Sequence, residues 1–287
     1  MRELVSKYVN YRSRSDVVRI HPLGDLHLGN RICDEELFQE AVAEIEEDPL
    51  ARWIGMGDMT ECITRKDFRH VESSYAEWLW GVDDIIEAQR KRLVGLLKPI
   101  ANKCLAYLWG NHEEKLLSKE GRDIYHSVAE ELVAAGAEPP LTLGSQGFVR
   151  LYLQRQVNRS ILRSWGQAAD SWEFVIYATH GWGGGRLEGS LALKLGRLAK
   201  SFGAHVFLCG HHHRKTLISQ QFWKPKVGAD EVELITQYMV GTGSFLPSLD
   251  ESNDAEVYSE AKGYPPLPVG YPVIEIKPDK HRVRVVV

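Results

Sequence analysis

Five times along this chain a short apolar run stops at a residue able to hold a metal ion. Val17–Leu23 runs into Gly24-Asp25-Leu26-His27, Ala51–Met56 into Gly57-Asp58, and Cys104–Trp109 into Gly110-Asn111-His112-Glu113. Trp172–Thr179 then runs into His180, and His205–Cys209 into Gly210-His211-His212-His213. Runs this short, bounded by turn residues, read as strands. Helical patterns separate the first three. Asp34 opens a helix with Glu35 and Glu36 at its positive end and Leu37, Ala41, Val42 and Ile45 on one face, and Pro49 stops it. A second helix carries Val82, Ile85, Ile86, Leu93, Leu96 and Leu97. The alternation of strand and helix predicts parallel βαβ units, in which function gathers in loops at the carboxyl ends of the strands.

The remainder predicts a helix over Arg122–Ala135 capped by Gly136, strands over Gly147–Gln154, Thr216–Phe222 and Val232–Val240, and a helix over Gly189–Phe202. A proline-rich loop then leads to a hairpin of Val273–Lys277 with Arg282–Val287. Two packed sheets flanked by helices fit this plan, in one domain spanning residues 1–287 with its core at about 17–246 and the loop and hairpin at 262–287. Pro22 costs a ladder hydrogen bond if its strand is central, which predicts that the strand ends at or before His21.

Composition removes several classes. With 287 residues, 44% of them hydrophobic, the chain has material for a full core, and a net charge of −4 is not that of a nonspecific polycation. Cys33, Cys62, Cys104 and Cys209 form no CxxC pair, which argues against a disulfide scaffold or a zinc ribbon. Met1–Asp16 alternates charged and apolar residues without the apolar stretch of a signal peptide, and no run is long enough to span a bilayer. A cytoplasmic protein without a membrane partner is the expectation.

Any one of the five strand ends has a plain alternative: Gly24-Asp25 could be a turn, and His180 a hydrogen-bonded core histidine. Coincidence of all five is harder to explain without a metal. Mixed Asp, Asn and His ligation suits Mn, Fe, Zn or Ni, with Mn expected, and a carboxylate that bridges two ions makes a two-metal hydrolase the natural hypothesis.

The ordered set Gly24-Asp25-Leu26-His27, Gly57-Asp58, Gly110-Asn111-His112-Glu113, His180 and Gly210-His211-His212-His213 resembles the motifs of the calcineurin-like metallophosphoesterase family. The resemblance covers roughly residues 17–240 and implies a four-layer α/β/β/α sandwich of two mixed sheets with a binuclear site at one edge. It implies that Asp25, His27 and His213 bind one divalent ion, that Asn111, His180 and His211 bind the second, and that Asp58 bridges them. His112 is then no ligand but the histidine facing the substrate phosphate and leaving group, and His212 fills a variable position. Glu113 reads as an orienter of other groups, with a structural role favoured. The protein Ser/Thr phosphatases of this superfamily carry GDxVDRG, whereas Gly57-Asp58-Met59-Thr60-Glu61-Cys62 lacks that second Asp and the Arg. The room left for a DNA-capping domain is small, which leaves a compact phosphoesterase.

The expected activity is hydrolysis of a phosphodiester in nucleic acid or a nucleotide, through a hydroxide shared by the two ions. A phosphomonoesterase acting on a small substrate is the alternative, and a metal-stabilised binding protein without turnover is a third. Thr64–His70 and Gly181–Arg186 are near enough in sequence to the ligands to reach a bound phosphate, though a solvated loop explains both equally simply. Arg150, Arg155, Arg159 and Arg163, in a stretch without acids from Gly147 to Ala169, would contact a single-stranded nucleic acid, with Trp165 stacking on a base.

Overall fold

The computed structural model describes residues 3–67, 69–156, 171–184, 188–226, 228, 230–249 and 265–287. In chain order, β1 (Glu3–Tyr11) and β2 (Val18–Leu23) precede α1 (Glu35–Glu47), β3 (Ala51–Gly55) and α2 (Ile85–Leu97). Next come β4 (Cys104–Tyr107), α3 (Asn111–Glu120), α4 (Ile124–Ala134), β5 (Gln146–Arg155) and β6 (Ser171–Thr179). Then α5 (Glu188–Ser201), β7 (Val206–Cys209), β8 (Lys215–Pro225), β9 (Val232–Thr242), β10 (Val273–Lys277) and β11 (Arg282–Val286) complete the order.

Two mixed sheets result, one of six strands in the order β1-β5-β6-β7-β9-β8 and one of five in the order β11-β10-β2-β3-β4. The apolar faces of both sheets meet in a shared core, where Val5, Ile20, Ile54 and Leu105 pack with Val149, Ile176, Leu208 and Val240. On the outer face of the five-stranded sheet, Phe38, Ile45, Leu93, Leu97, Val128 and Leu132 of α1, α2 and α4 pack against Leu23 and Trp53. On the outer face of the other, Leu191, Leu195 and Leu198 of α5 cover Tyr177 and Phe207. This is a four-layer α/β/β/α sandwich.

Local sequence explains most of these elements. Asp34 caps α1 by accepting from Leu37 N–H, and Asp84 caps α2 by accepting from Glu87 N–H. Within α2, Ile86, Leu93 and Leu97 are buried as their spacing requires, while Val82 precedes the helix. Three expectations need correction. β1 was not anticipated, although its alternation is the signature of a half-buried strand: Val5, Val9 and Tyr11 point inward, joined by a buried Lys7. With β1 in one sheet and β10 paired to β2 in the other, the core is wider than 17–246. β2 also runs through Pro22 to Leu23 although it is an interior strand. Arg19 N–H and Leu23 O bond toward β3, so Pro22 faces β10, whose pairing has already ended at Ile20; no ladder bond is lost. The C-terminal hairpin forms as its sequence indicates, with Val273 opposite Val286.

Because β2, β3 and β4 are parallel, and β6 and β7 are parallel, five carboxyl ends open along one edge of the sandwich. Among the described residues no helix is long and apolar enough to cross a membrane.

Candidate metal centre

All eight residues singled out for the centre lie along that edge. The loop after β2 carries Asp25 and His27, the loop after β3 carries Asp58, Asn111 and His112 open α3, His180 follows β6, and His211 and His213 follow β7. Asp25, His27 and His213 converge as one group whose ligand atoms lie within 4.8 Å of one another, and Asp58, His180 and His211 as a second. Asn111 joins the second, its Oδ1 3.2 Å from His180 Nε2.

The backbone is bent to achieve this. Asp25, His27, Asp58, His211 and His213 have φ of 49, 52, 49, 69 and 51°, in the left-handed region that non-glycine residues seldom occupy. Each such residue costs of order 1–3 kcal/mol, strain that persists where surrounding bonds over-determine it and that concentrates at functional sites. Here the loops after β2 and β3 are zipped together: Asp25 N–H donates to Gly57 O at 2.9 Å and His27 N–H to Asp58 O at 3.0 Å. Gly57 itself has φ of 90°, and a Cβ on it would lie 2.5 Å from Gly110 N, so these turns tolerate no side chain there.

Hydrogen bonds fix the orientation of the rings. His27 Nδ1 donates to Glu61 Oε2 at 3.0 Å, which leaves Nε2 with the lone pair, 3.2 Å from His213 Nε2. His180 Nδ1 donates to Met56 O at 2.9 Å, which turns its Nε2 toward Asn111 Oδ1 and, at 3.3 Å, Asp58 Oδ2. Contacts of this kind are favourable when a proton or a cation lies between the two atoms. Burial disfavours charge on His180, yet the Asp58 carboxylate overrides it and pushes the imidazole up to about 10. Asp25 likewise raises His213 against the effect of burial. Burial also penalises the Asp58 carboxylate, but His180, His112 and His27 hold it well below the usual range. Asp25 Oδ1, fully buried, has no partner nearer than His213 Nε2 at 3.4 Å. This set of Asp, Asn and His donors suits divalent ions of the Mn, Fe, Zn type.

Asp58 sits between the groups. Its Oδ1 accepts from His112 N–H at 2.8 Å, while Oδ2 lies 3.3 Å from His180 Nε2 and 3.9 Å from His27 Nε2. His112 is turned differently from the other rings: Nδ1 donates to Glu61 O at 2.5 Å and Nε2 receives Arg69 Nη1 at 3.0 Å. His212 meets Lys194 Nζ at 3.1 Å and joins neither ligand group.

Glu113 has a structural task, as its sequence position suggested. It is fully buried and accepts from the N–H of Asp58, Met59, Thr60 and Gly110 at 3.0, 2.8, 3.3 and 2.8 Å, tying the turn after β3 to the start of α3. Glu113→Ala leaves four buried donors without an acceptor, at roughly 1–3 kcal/mol for each that water cannot reach. A loss of at least ~3 kcal/mol in urea unfolding is expected, with weaker metal retention because Asp58 is freed; an unchanged midpoint would refute the clamp.

The sequence reading gave Glu61 no role and named Arg69 only as part of a segment near enough to reach a bound phosphate. Glu61 orients His27, and Arg69 reaches His112 from the Thr64–His70 segment. The basic segment fared differently. Gln146 of β5 pairs with Thr179 beside the centre, so Arg155 stands at the far end of that strand, ~30 Å away at ~3.3 Å per residue. It pairs with Asp279 at 3.5 Å, and Arg150 with Glu173 at 3.2 Å, acidic partners that the reading of this segment as phosphate-contacting did not foresee. Arg159, Arg163, Trp165 and Arg186 lie outside the described residues. The chain matches no family model and no curated protein, so its own geometry carries the functional argument.

Proposed function

We propose that this chain is a binuclear metallophosphoesterase of the calcineurin-like type that hydrolyses phosphoester bonds, with a phosphodiester in a nucleotide or single-stranded nucleic acid as substrate. The observation that carries this reading is the pair of adjoining donor groups with Asp58 Oδ2 between them. Asp25, His27 and His213 would hold one ion, and Asn111, His180 and His211 the other, with Asp58 shared. Two divalent ions, Mn expected, would supply charge against the phosphoryl oxygens and a water of lowered pKa.

The chain's own residues do the rest. Glu61 fixes the His27 ring so that only Nε2 faces the centre. Glu113 holds the Asp58 backbone in its strained conformation. His112, anchored through Nδ1 to Glu61 O, turns Nε2 outward to Arg69 Nη1, the nitrogen from which a proton would pass to the departing oxygen. A cytoplasmic location suits this reading, since all four cysteines are free thiols.

The test is a panel of a generic monoester, a generic diester, and single- and double-stranded DNA and RNA, with Mn²⁺ supplied. Diester turnover that vanishes in chelator and returns with Mn²⁺, at about two ions per chain by elemental analysis, is the expected result. Exclusive turnover of the monoester would correct the substrate class, and activity in a metal-free protein would overturn the reading.

A further inference from the structure

Arg69 lies in the loop that joins β3 to α2, and its guanidinium is held on one edge by Asp67. Nε donates to Asp67 Oδ1 at 3.1 Å and Nη2 to Oδ2 at 2.9 Å, a bidentate pair. Lys115 of α3 approaches the same carboxylate at 3.0 Å. The Arg69 and Asp67 side chains are only 17% and 9% exposed, so the pair is shielded from the screening that makes most surface ion pairs worth little.

This clamp leaves Nη1 unused by Asp67, and Nη1 is the atom that meets His112 Nε2 at 3.0 Å. The ring of His112 also stands edge-on to that of His27, with centroids 4.6 Å apart, which places the guanidinium beside the first donor group. A structural arginine would be satisfied by Asp67 alone. Arg69 also presents a fixed donor to the Nε2 of His112, whose Nδ1 is already held by Glu61 O.

We propose that Arg69 is a substrate-contacting residue, whose Nη1–H leaves His112 Nε2 when substrate enters and donates to a non-bridging oxygen of the phosphoryl group, with Asp67 and Lys115 as positioning residues. The proposal rests on the phosphoesterase reading given above. A planar guanidinium suits a phosphoryl oxygen, and because Asp67 already orients it, little reorganisation is needed as charge builds in the transition state.

The experiment uses the full chain loaded with Mn²⁺, with orthophosphate as the binding probe by calorimetry and bis(p-nitrophenyl) phosphate as substrate. Arg69→Gln is expected to keep about two ions per chain and a folded chain, with a lower urea midpoint because Asp67 loses its partner, to weaken orthophosphate binding about 10-fold or more, and to lower kcat/KM about 10–100-fold, the scale of one charged hydrogen bond. Arg69→Lys should recover only part of this because it keeps the charge without the fork. Asp67→Asn should produce a smaller loss of the same kind, and added guanidinium ion should partly restore Arg69→Ala. Wild-type orthophosphate affinity in Arg69→Gln with metal intact would overturn the proposal, as would a loss of affinity that only follows a loss of metal. If the wild-type protein binds orthophosphate but turns over no phosphoester, the parent reading fails while the calorimetric comparison still decides the role of Arg69.

Discussion

Asp58→Asn is expected to lower bound metal from about two ions per chain to one or fewer and to reduce diester turnover by at least ~10³-fold, the loss implied when several kcal/mol of charge stabilisation disappear. No other ligand change should cost as much, because Asp58 Oδ2 alone faces both His27 and His180. The substitution is nearly isosteric. An Asn keeps an oxygen able to accept from His112 N–H, the bond that Asp58 Oδ1 makes at 2.8 Å, and the backbone clamp by Glu113 is untouched. What vanishes is the negative charge shared by the two groups. Elemental analysis beside steady-state kinetics separates the outcomes, and a variant with two ions and wild-type turnover would remove Asp58 from the bridging position.

The convergence of the candidate ligands was legible in sequence because each follows an apolar strand whose alternation or length can be read locally, and because the sheet topology delivers strand ends to one edge. Asp25, Asp58, His180 and His211 therefore needed no knowledge of tertiary contacts. α3 was missed for the opposite reason. Gly110-Asn111-His112-Glu113 was read only as the end of a strand, yet it is also a helix start, with Glu113 reaching back to Gly110 N–H. The spacing of a cap residue and a Glu three positions later was visible and carries that meaning. β1 was likewise visible in the alternation Val5, Lys7, Val9, Tyr11. A lysine at an inward position hid it, since only the fold supplies the Glu138 carbonyl that Lys7 donates to. Glu61 could not have been found this way, and Arg69 was reached only within the Thr64–His70 segment, named for its nearness to Asp58 in sequence. Both lie in a polar stretch without periodicity, and what assigns them is a ring nitrogen contributed by another segment, His27 for one and His112 for the other.

His112→Ala should separate chemistry from metal binding. The ring belongs to neither ligand pair assigned above, so removing it should leave about two ions per chain while lowering turnover of a diester with a poor leaving group by ~10²–10⁴-fold, the range for a lost general acid. Two features make the expectation specific to this residue. The Nδ1 bond to Glu61 O fixes the ring so that Nε2 alone can exchange a proton with substrate, and His112 N–H, which the alanine variant retains, continues to hold Asp58 Oδ1. The bridging carboxylate therefore stays in place when the imidazole goes. His112, Glu61 and His27 also lie close enough together to form a third donor cluster, and this supplies the rival outcome. If His112 binds an ion, the alanine variant will lose metal and activity together on every substrate. If it delivers a proton, the deficit will shrink toward nothing as the leaving group improves from an alkoxide to p-nitrophenolate, because a stable anion needs no proton to depart. A deficit that is independent of the leaving group, with metal content unchanged, would contradict the acid role and leave His112 as a contact to the phosphoryl oxygens.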